Sequence, residues 1–496
     1  MSPDHRRTLT PLWVVLVMAL HSGAAVAQTD VPSDRRAALR VTDDPFEAPN
    51  AEGGGASTVK VRAPEFSGKR LWLGTAELMA VQLIPMAFNN AKDLEFAKIT
   101  PASWKDNLEN PWKWDNNQFL NNQFSHPYHG ALYYNAGRAN GYNFWASSAW
   151  PWIGSLMWEY FGEKWAPSPN DLVNTSLGGI TLGETFWRLS SLTLDNRSQG
   201  RTRVFRELGA GLLNPVRGFT RLVHGETGRQ GENPEEWRPS SLQAALDVGY
   251  RRNAATVSTG PQSVDQGFVA LGLRYGDVFE DSHKTPFSYF TFRVETARPV
   301  DVGLQAKRLT TLQSRGSLAA WKLHDGERSH HRFALFVTYD YMSNPAYEFG
   351  GQGVAGGWIG TPLDNGDVRL TFETLVRTYA LAATFSDYFE TDEGRNYDYG
   401  PGVGASGAVN LSWKGRATVG VSGTTNWIET VSGVDGRHHQ SDWSADARFY
   451  VSGRFGVGAL YRRFDRESRY DAFPTVKFDS DESRVFLSLA LPRFGR

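Results

Sequence analysis

The stretch "SLQAALDVGYR", residues 241–251, alternates between apolar and polar side chains. The apolar positions are Ala244, Leu246, Val248 and Tyr250, and the polar ones include Gln243, Asp247 and Arg251. Successive side chains of a β-strand point to opposite faces, so this stretch predicts a strand with one apolar and one charged face. It is also longer than the strands of about five or six residues that are usual in soluble sheets.

The same alternation recurs through residues 236–496. It is clearest in the segments 289–295, 368–377, 443–451 and 484–491. Long strands that are apolar outside and polar inside, with aromatic residues near their ends, are typical of a transmembrane β-barrel. The pattern therefore predicts a mainly β, α+β protein whose antiparallel barrel has about 12 strands, with 10 or 14 as the other even numbers. A soluble β-sandwich is the alternative, but its inward faces are apolar.

The polar faces of these strands are rich in charge. The residues expected to face the lumen are Arg251, Arg274, Arg293, Arg369, Arg377, Arg448 and Arg484, together with Asp247, Glu295, Glu373 and Asp446. Such a set either fills a narrow lumen with ion pairs or lines a polar channel. A small-solute porin is therefore one functional hypothesis.

The amino terminus and the composition indicate a cell-envelope protein. Residues 1–27 combine basic residues, a short apolar run and an Ala-Val-Ala site, which predicts a secretory signal peptide, and residues 28–68 predict a flexible linker. The chain has no cysteine, and its 52 basic and 53 acidic residues give no basic excess for a nucleic-acid partner. We expect an outer-membrane location, with the barrel-assembly machinery as a partner during biogenesis. Bacterial barrels commonly end in an aromatic residue. Here Phe494 stands two residues before the end, which departs from that pattern.

Residues 69–235 have helical spacing and predict a compact α-helical domain before the barrel. The segment 71–88, "LWLGTAELMAVQLIPMAF", is long enough for a membrane helix, but Glu77 and Pro85 favour a buried or interfacial helix. Further on, Ser168 before Pro169 predicts a helix start. In the helix that follows, Gly179 and Gly183 lie one turn apart and predict close approach of a neighbouring helix, for which we expect the segment 143–162.

Two quoted runs carry a resemblance to a known family. The run "NQFSHPYHGALYYNAGRANGYNFWASSAWPWIGSLMWEYFGE" and the following "PSPNDLVNTSLGGITLGETFWRLS" resemble the bacterial envelope family catalogued as domain of unknown function 3943. The resemblance covers roughly residues 70 to 200. It implies an exported helical domain that precedes a barrel-like half, and it brings no established activity or catalytic residues.

Residue types in the helical domain suggest two kinds of site. His126, His129, Glu159 and Asp171 are candidate catalytic residues, because imidazoles and carboxylates act as acid and base or hold zinc or iron. The candidate ligand-binding residues are Arg138, Asn170, Asn174, Gly178, Gly179 and Glu184. No His-Glu-x-x-His, Gly-x-Ser-x-Gly or phosphate-loop motif is present, so the sequence identifies neither a cofactor nor a particular metal.

A structural interpretation of the same residues stays open. In it, His126 caps or bridges a turn, asparagines near residue 170 satisfy helix-end amides, and Glu159 pairs with Arg138 or Arg188. Buried polar groups must be bonded whether or not they do chemistry.

Two functional hypotheses of different class follow. In the first, the helical domain lies on the periplasmic side or in the barrel lumen, as a plug or docking module that binds outer-membrane lipid or an envelope protein partner. In the second, the protein is a lipid-modifying hydrolase that uses His126 or His129 as its base, with Glu159 or Asp171 orienting the base or holding a metal.

Overall fold

The computed structural model describes residues 69–257, 260–280, 285–300, 308–344, 347–491 and 494–495. The predicted signal peptide and linker lie outside the described residues. Helices occupy the first part of the described chain and strands the second, in the order that the change of sequence period predicts.

The helical region begins at Leu71. Its α-helices, α1 to α9, are Leu71–Ala91, Pro101–Glu109, His126–Arg138, Phe144–Ser147, Ala149–Met157, Pro169–Val173, Gly179–Thr193, Gly200–Leu213 and Pro215–Val223. Wider π-helical turns occur at Asn121–Ser125, Trp158–Gly162 and Asn174–Gly178, and 3-10 turns at Glu95–Ala97, Glu226–Gly228 and Glu235–Trp237. Ser168 caps α6 by accepting the Asp171 N–H, as predicted.

Twelve long antiparallel strands, among the residues described, form one closed sheet. They are β1 Ser241–Val257, β2 Gly260–Tyr275, β3 Phe290–Pro299, β4 Arg308–Asp325, β5 His330–Asn344, β6 Tyr347–Asp364, β7 Val368–Phe385, β8 Tyr397–Trp413, β9 Ala417–Glu429, β10 Gly436–Tyr450, β11 Phe455–Tyr470 and β12 Val476–Ala490. Each strand pairs with the next, and β12 pairs with β1 from Ala245↔Ala490 to Ala255↔Ser480. This closure confirms the predicted 12-stranded barrel and leaves no open edge for lipid to meet.

The two ends of the barrel are defined by its first strand. The near end is where β1 begins and β12 finishes, and there the two-residue strand Phe494–Gly495 pairs with Ser241 and Leu242. The far end carries the connection 386–396 between β7 and β8.

Paired charges fill the lumen, as the alternation of the strands suggests. Glu295 accepts from Arg251 and from Arg484, each at 2.6 Å, and all three side chains are buried. Other pairs across the lumen are Arg315–Glu373, Arg377–Asp340 and Arg448–Asp247. Burial leaves each of these charges dependent on its partner.

The described helices lie against the outward face of the barrel wall. Asp340 faces the lumen, where it accepts from Gln313, so the adjacent Tyr339 and Ser314 face outward. Yet Tyr339 donates its hydroxyl to the Gln123 carbonyl, and Ser314 bonds Thr185 of α7 at 2.7 Å. The expectation that the helical domain enters the lumen as a plug is therefore not met by the described residues; the side of the membrane to which it belongs stays a prediction.

Helices and wall share one hydrophobic core. Its members from the helical region include Phe119, Phe124, Tyr134, Phe144, Leu182 and Phe186, and its members from the wall include Tyr275, Phe290, Phe292, Leu312, Tyr339, Tyr341, Tyr397 and Tyr399. The outward aromatic residues of β2–β8 thus supply one half of the core on which the helices fold.

The close helix contact predicted from glycines exists, but the predicted neighbour is wrong. A Cβ on Gly179 would lie 2.5 Å from the Gly130 backbone, and a Cβ on Gly183 would lie 2.6 Å from the Tyr134 ring. Both contacts are with α3 rather than with 143–162. Gly130 has no side chain either, so the backbones of α3 and α7 can approach closely. The bulky side chains of the tryptophan-rich segment 143–162 would prevent such an approach.

Helix α1 is buried along one side only. Leu73, Glu77 and Leu78 face the other helices, whereas Ile84 and Phe88 are exposed. By length and composition α1 is apolar enough to cross a membrane. It is a helix, as predicted, with about a quarter of its apolar window buried (28%).

Candidate functional site

Three π-helical turns of the described chain adjoin the same set of polar side chains. The first ends just before His126, the second contains Glu159, and the third begins at Asn174. A π-turn inserts a residue into a helix and is frequent at functional sites, because it redirects side chains that a regular helix would space evenly.

His126 lies between a carboxyl and a hydroxyl group. Its Nε2 is 3.5 Å from Asp171 Oδ1, and its Nδ1 is 3.3 Å from Thr175 Oγ1. Asp171 and Thr175 are one turn apart, on α6 and the π-turn that continues it, so one helical face supplies both groups. The side chain of His126 remains 19% exposed, whereas that of Asp171 is 4% exposed.

Glu159 joins this set through the start of α6. Its Oε2 accepts the Ser168 N–H at 2.7 Å, and the Ser168 hydroxyl donates to Asn170 Oδ1 at 2.7 Å. Asn170 in turn donates to Asp171 Oδ1 at 3.0 Å. We call the residues His126, Glu159, Ser168, Asn170, Asp171, Asn174 and Thr175 the His126 cluster.

The barrel completes the cluster with a tyrosine that the sequence analysis missed. Tyr399, at the far end of β8, receives hydrogen bonds from Gln123 at 3.1 Å and Asn174 at 3.3 Å. Two residues earlier, Tyr397 receives one from Asn122 at 2.9 Å. Both tyrosines face outward, where an aromatic residue is ordinarily taken as a membrane-interface anchor, so no local signal marked them.

Burial sets the protonation of the cluster. It lowers the pKa of His126, an effect that the nearby Asp115 opposes. It raises the pKa of Asp171 well above its usual range, with Asp115 and Glu159 adding to the rise. It also raises the pKa of Glu159 to about 8, against the bond from Ser168. Clustered groups with displaced pKa values mark candidate sites of acid and base chemistry.

No compensating cation accompanies these acids. Among the described residues, neither Glu159 nor Asp171 forms an ion pair with an arginine or a lysine, and His126 is the basic partner of Asp171. Several buried polar atoms near the cluster also have no hydrogen-bond partner in the described structure: Asn122 Oδ1, Asn174 Oδ1, Ser176 Oγ and Gln352 Oε1. Buried polar atoms are nearly always bonded, so this group of atoms is suited to receive a ligand or water.

Glu184 and Arg138 belong to a separate, balanced network. Glu184 accepts from Arg138 and from Arg188, each at 2.9 Å, and from the Tyr134 hydroxyl at 2.7 Å. The prediction that Glu159 pairs with one of these arginines is therefore wrong, because Glu184 takes both. The network is fully paired and holds α3 to α7.

His129 and the two glycines serve packing. His129 Nε2 lies 3.2 Å from the Val81 carbonyl, and its ring contacts Trp158. Burial lowers the pKa of His129 to about 4, so it is neutral at pH 7. Gly178 lies against Pro127 and Tyr339, and Gly179 against Gly130. The predicted zinc or iron site has no support in the described residues, where no group of three His, Asp or Glu side chains is placed to hold a metal ion.

A second set of catalytic residue types occurs inside the barrel. His438 Nε2 is 3.0 Å from Asp398 Oδ2, and His438 Nδ1 is 2.9 Å from Ser468 Oγ. Arg466 donates to the same serine at 2.6 Å. Three different strands supply these residues, so sequence spacing could not reveal them. His438, Asp398 and Ser468 are all buried, and we treat them as a hydrogen-bonded part of the lumen.

Comparison with known proteins gives one family. Residues 111–216 match the family described as domain of unknown function, DUF3943. These residues contain the whole His126 cluster. None of the curated proteins is similar enough in sequence to be matched with this chain.

Solved structures that resemble the chain are β-barrels. The NanC porin matches with 12% identity and a TM-score of 0.30, over 50% of this chain and 100% of its own. The KdgM porin matches with 8% identity and a TM-score of 0.24, over 50% and 99%. The translocator domain of the autotransporter NalP from Neisseria meningitidis matches with 11% identity and a TM-score of 0.25, over 51% and 89%. These likenesses concern the barrel fold alone.

Proposed function

We propose that this chain is an outer-membrane β-barrel that binds membrane lipid through the helical region on its outer wall. The observation that carries the proposal is the large apolar surface that this region exposes, together with acids that it buries without an arginine or lysine partner among the described residues. Its interior holds Glu159, Asp171, Asn174 and Glu184, all buried. Large apolar side chains cover much of its outside.

The exposed apolar side chains are most continuous on α8 and α9. They are Val204, Phe205, Leu208, Leu212, Phe219, Leu222 and Val223, each more than 40% exposed. Proteins surrounded by water rarely expose a contiguous apolar surface of this kind. Such a surface is typical of a site that contacts lipid or a protein partner. Lipid is favoured, because the helices rest on the outward face of a barrel wall that itself presents apolar side chains such as Val376 and Trp443.

The His126 cluster indicates which part of a lipid it would bind. It offers carboxyl, amide and hydroxyl groups with no arginine or lysine. Such a set recognises a headgroup that carries hydroxyls or an amine better than a bare phosphate, for which cations are the usual partners.

Lipid retention tests the proposal. The full-length protein is purified in a mild detergent, washed, and its bound lipids are quantified by mass spectrometry. We expect retained lipid from the wild type and a several-fold loss in Asn174→Leu, which removes the amide that bonds Tyr399. Asn110→Leu, on the exposed end of α2, is the matched control and should retain wild-type amounts. A folded wild type that retains no lipid overturns the proposal, and a co-purified protein in its place identifies a protein partner.

A second candidate function is lipid hydrolysis, favoured by the contacts of His126. The order Asp171, His126, Thr175 is that of acid, base and nucleophile in acyl-transfer enzymes. In such a reaction His126 takes the proton of the Thr175 hydroxyl, or of water, as the oxygen attacks an ester carbonyl. The ester C–O bond then breaks, and His126 returns the proton to the leaving alkoxide. Where Thr175 is the attacking group, water then attacks the acyl-threonine ester: His126 takes a proton from the water and gives it to the Thr175 oxygen as the fatty acid leaves, which restores the hydroxyl. Asp171 orients the imidazole through its contact with Nε2.

Envelope lipid profiles test this second function. Lipids are compared by mass spectrometry between cells with the wild-type protein, a deletion, and His126→Gln at matched protein levels. A species that accumulates both in the deletion and in His126→Gln supports hydrolysis. His330→Gln, in the near-end turn where His330 contacts Asp325, is the matched control. If His126→Gln restores the wild-type profile as well as His330→Gln does, the site binds lipid without cleaving it.

A further inference from the structure

We propose that one acyl chain of the bound lipid lies in a groove at the seam between the helical region and the barrel wall. The groove has a volume of about 250 Å³. The helical region lines it with Leu177, Ile180 and Thr181, and the wall with Val337, Gly353, Val354, Thr378, Tyr379 and Ala380. This inference rests on the proposed lipid binding and names the part of the lipid that the seam takes.

The groove is continuous with the outward apolar surface of the barrel. Val354 is 50% exposed at its rim, and Val376 and Leu335, on the flanking strands, are 62% and 39% exposed. An occupant that reaches the groove along this surface must itself be apolar and narrow. An acyl chain of a surrounding lipid meets both conditions. When it lies in the groove, the chain forms dispersion contacts with the apolar groove walls and covers apolar surface.

Irregular pairing in the wall creates the recess. The register of β6 and β7 shifts between Gln352 and Gly353, and that of β7 and β8 shifts between Tyr379 and Ala382. Such bulges bend a strand and re-aim its side chains. At Gly353 a Cβ would lie 1.8 Å from the Thr378 carbonyl oxygen, so only glycine fits this close approach.

The helical side of the groove is mainly apolar, because its one side-chain hydroxyl, that of Thr181, already has a hydrogen-bond partner. The Thr181 hydroxyl donates to the Leu177 carbonyl at 3.2 Å, which leaves its methyl group and the neighbouring Ile180 and Leu177 as the apolar surface. The groove lining therefore favours a hydrocarbon over a polar ligand.

Polar groups adjoin the groove in sequence on both of its sides. Asn174 and Ser176 precede Leu177, and Gln352 precedes Gly353. Asn174 Oδ1, Ser176 Oγ and Gln352 Oε1 are buried without a partner in the described structure. This arrangement fits an amphipathic molecule whose chain occupies the groove while its polar part meets the His126 cluster.

Photo-crosslinking tests the proposal. The full-length protein is placed in vesicles of phosphatidylethanolamine and phosphatidylglycerol that contain phosphatidylethanolamine with a diazirine in one acyl chain. After irradiation, labelled peptides are identified by mass spectrometry. We expect labelling of residues 177–181 and 378–380 several-fold above that of the outward face of β10 and β11, which lies away from the helices.

Two matched variants give the result its meaning. Ala380→Trp fills the groove from the exposed wall side and should abolish the enriched labelling, whereas Val421→Trp, on the exposed outward face of β9 and outside the lining, should leave it unchanged. Uniform labelling around the barrel, or enrichment that persists in Ala380→Trp, overturns the groove proposal. If the washed protein still retains lipid in that case, the proposed function stands without the groove; if it retains none, both fail.

Discussion

The lumen of the barrel and the His126 cluster both bury charged side chains, but they balance them differently. In the lumen, Glu295 has Arg251, Arg484 and Arg293 around it. In the cluster, neither Glu159 nor Asp171 forms an ion pair with an arginine among the described residues, and His126 is the basic partner of Asp171. The lumen is the arrangement expected of a structural core, since each buried charge is neutralised by an opposite one.

The cluster, by contrast, buries Asp171 and Glu159 without an arginine or lysine partner among the described residues, although Glu159 also accepts the Ser168 N–H. Desolvation raises the pKa values of Asp171 and Glu159, and the nearby Asp115 adds to the rise of both, an unfavourable arrangement that apolar residues of similar size would avoid. Residues that work against stability are expected where they contribute to binding or catalysis. The contrast therefore separates structural charge from candidate functional charge within one molecule.

The largest effect is expected in the lumen. Glu295→Ala leaves three arginines without their central partner and should lower the free energy of unfolding by about 3–5 kcal/mol. The measurement is urea unfolding of the protein in lipid vesicles, followed by tryptophan fluorescence. Glu467→Ala, which removes an exposed pair with Arg469 on the outside of β11, should change little. Equal effects of the two substitutions would show that the lumen pairs are not structural.

A smaller loss of stability is expected where α3 meets α7. A Cβ on Gly130 would lie 1.8 Å from the Thr175 carbonyl oxygen, so Gly130→Ala must push the helices apart. We expect a loss of about 1–3 kcal/mol, together with loss of lipid retention, because Thr175 belongs to the His126 cluster. Gly228→Ala, with no atom within 4 Å of the added group, is the control. If the Gly130→Ala protein is destabilised but retains normal amounts of lipid, the His126 cluster is not the lipid-binding site.

The lumen histidine provides a milder contrast. Ser468→Ala removes hydrogen bonds to His438 and Arg466, and Asp398 and Asp387 still hold those two residues. The expected loss in unfolding free energy is about 1 kcal/mol, with lipid retention unchanged. A change in envelope lipids in cells that carry Ser468→Ala would instead make this lumen set a reaction centre.

Near pH 5, Glu159→Gln is expected to change the free energy of unfolding less than any of the substitutions above. The folded-state pKa of about 8 lies above the ordinary 4.5, so the folded state holds a proton that the unfolded state loses between these values. Wild-type stability should therefore fall as the pH rises from about 4.5 to about 8. The glutamine variant mimics the protonated acid, so it should match the wild type near pH 5 and exceed it near pH 8. Unfolding curves across this range check the sign, and parallel curves would contradict it.

The barrel was predictable because its pattern is local. Alternation as in Val485, Leu487 and Leu489 follows from the strand geometry alone, and strand length separates a barrel from a sandwich. The position of the helices was not predictable. Tyr339, Tyr341, Tyr397 and Tyr399 occupy outward positions, and an outward tyrosine has the same sequence pattern whether lipid or a helix covers it.

The site was predictable only in part, because residue type is visible in the sequence but contacts between distant residues are not. Residue type drew attention to His126, Glu159 and Asp171, and the structure brings them together. His129, only three residues from His126, instead contacts the Val81 carbonyl, because α1 packs against that side of α3. Thr175, four residues after Asp171, had a helical-spacing signal that the sequence analysis did not use. Tyr399, more than two hundred residues away, had none.

The core shared by helices and wall has a consequence for biogenesis. The helical region is synthesised first, but the aromatic side chains against which it packs, such as Phe292 and Tyr339, belong to strands made later. Its folding is then tied to barrel insertion rather than finished before it. Until those strands are in place, the apolar side chains that face the wall, such as Phe124 and Phe186, have nothing to cover them.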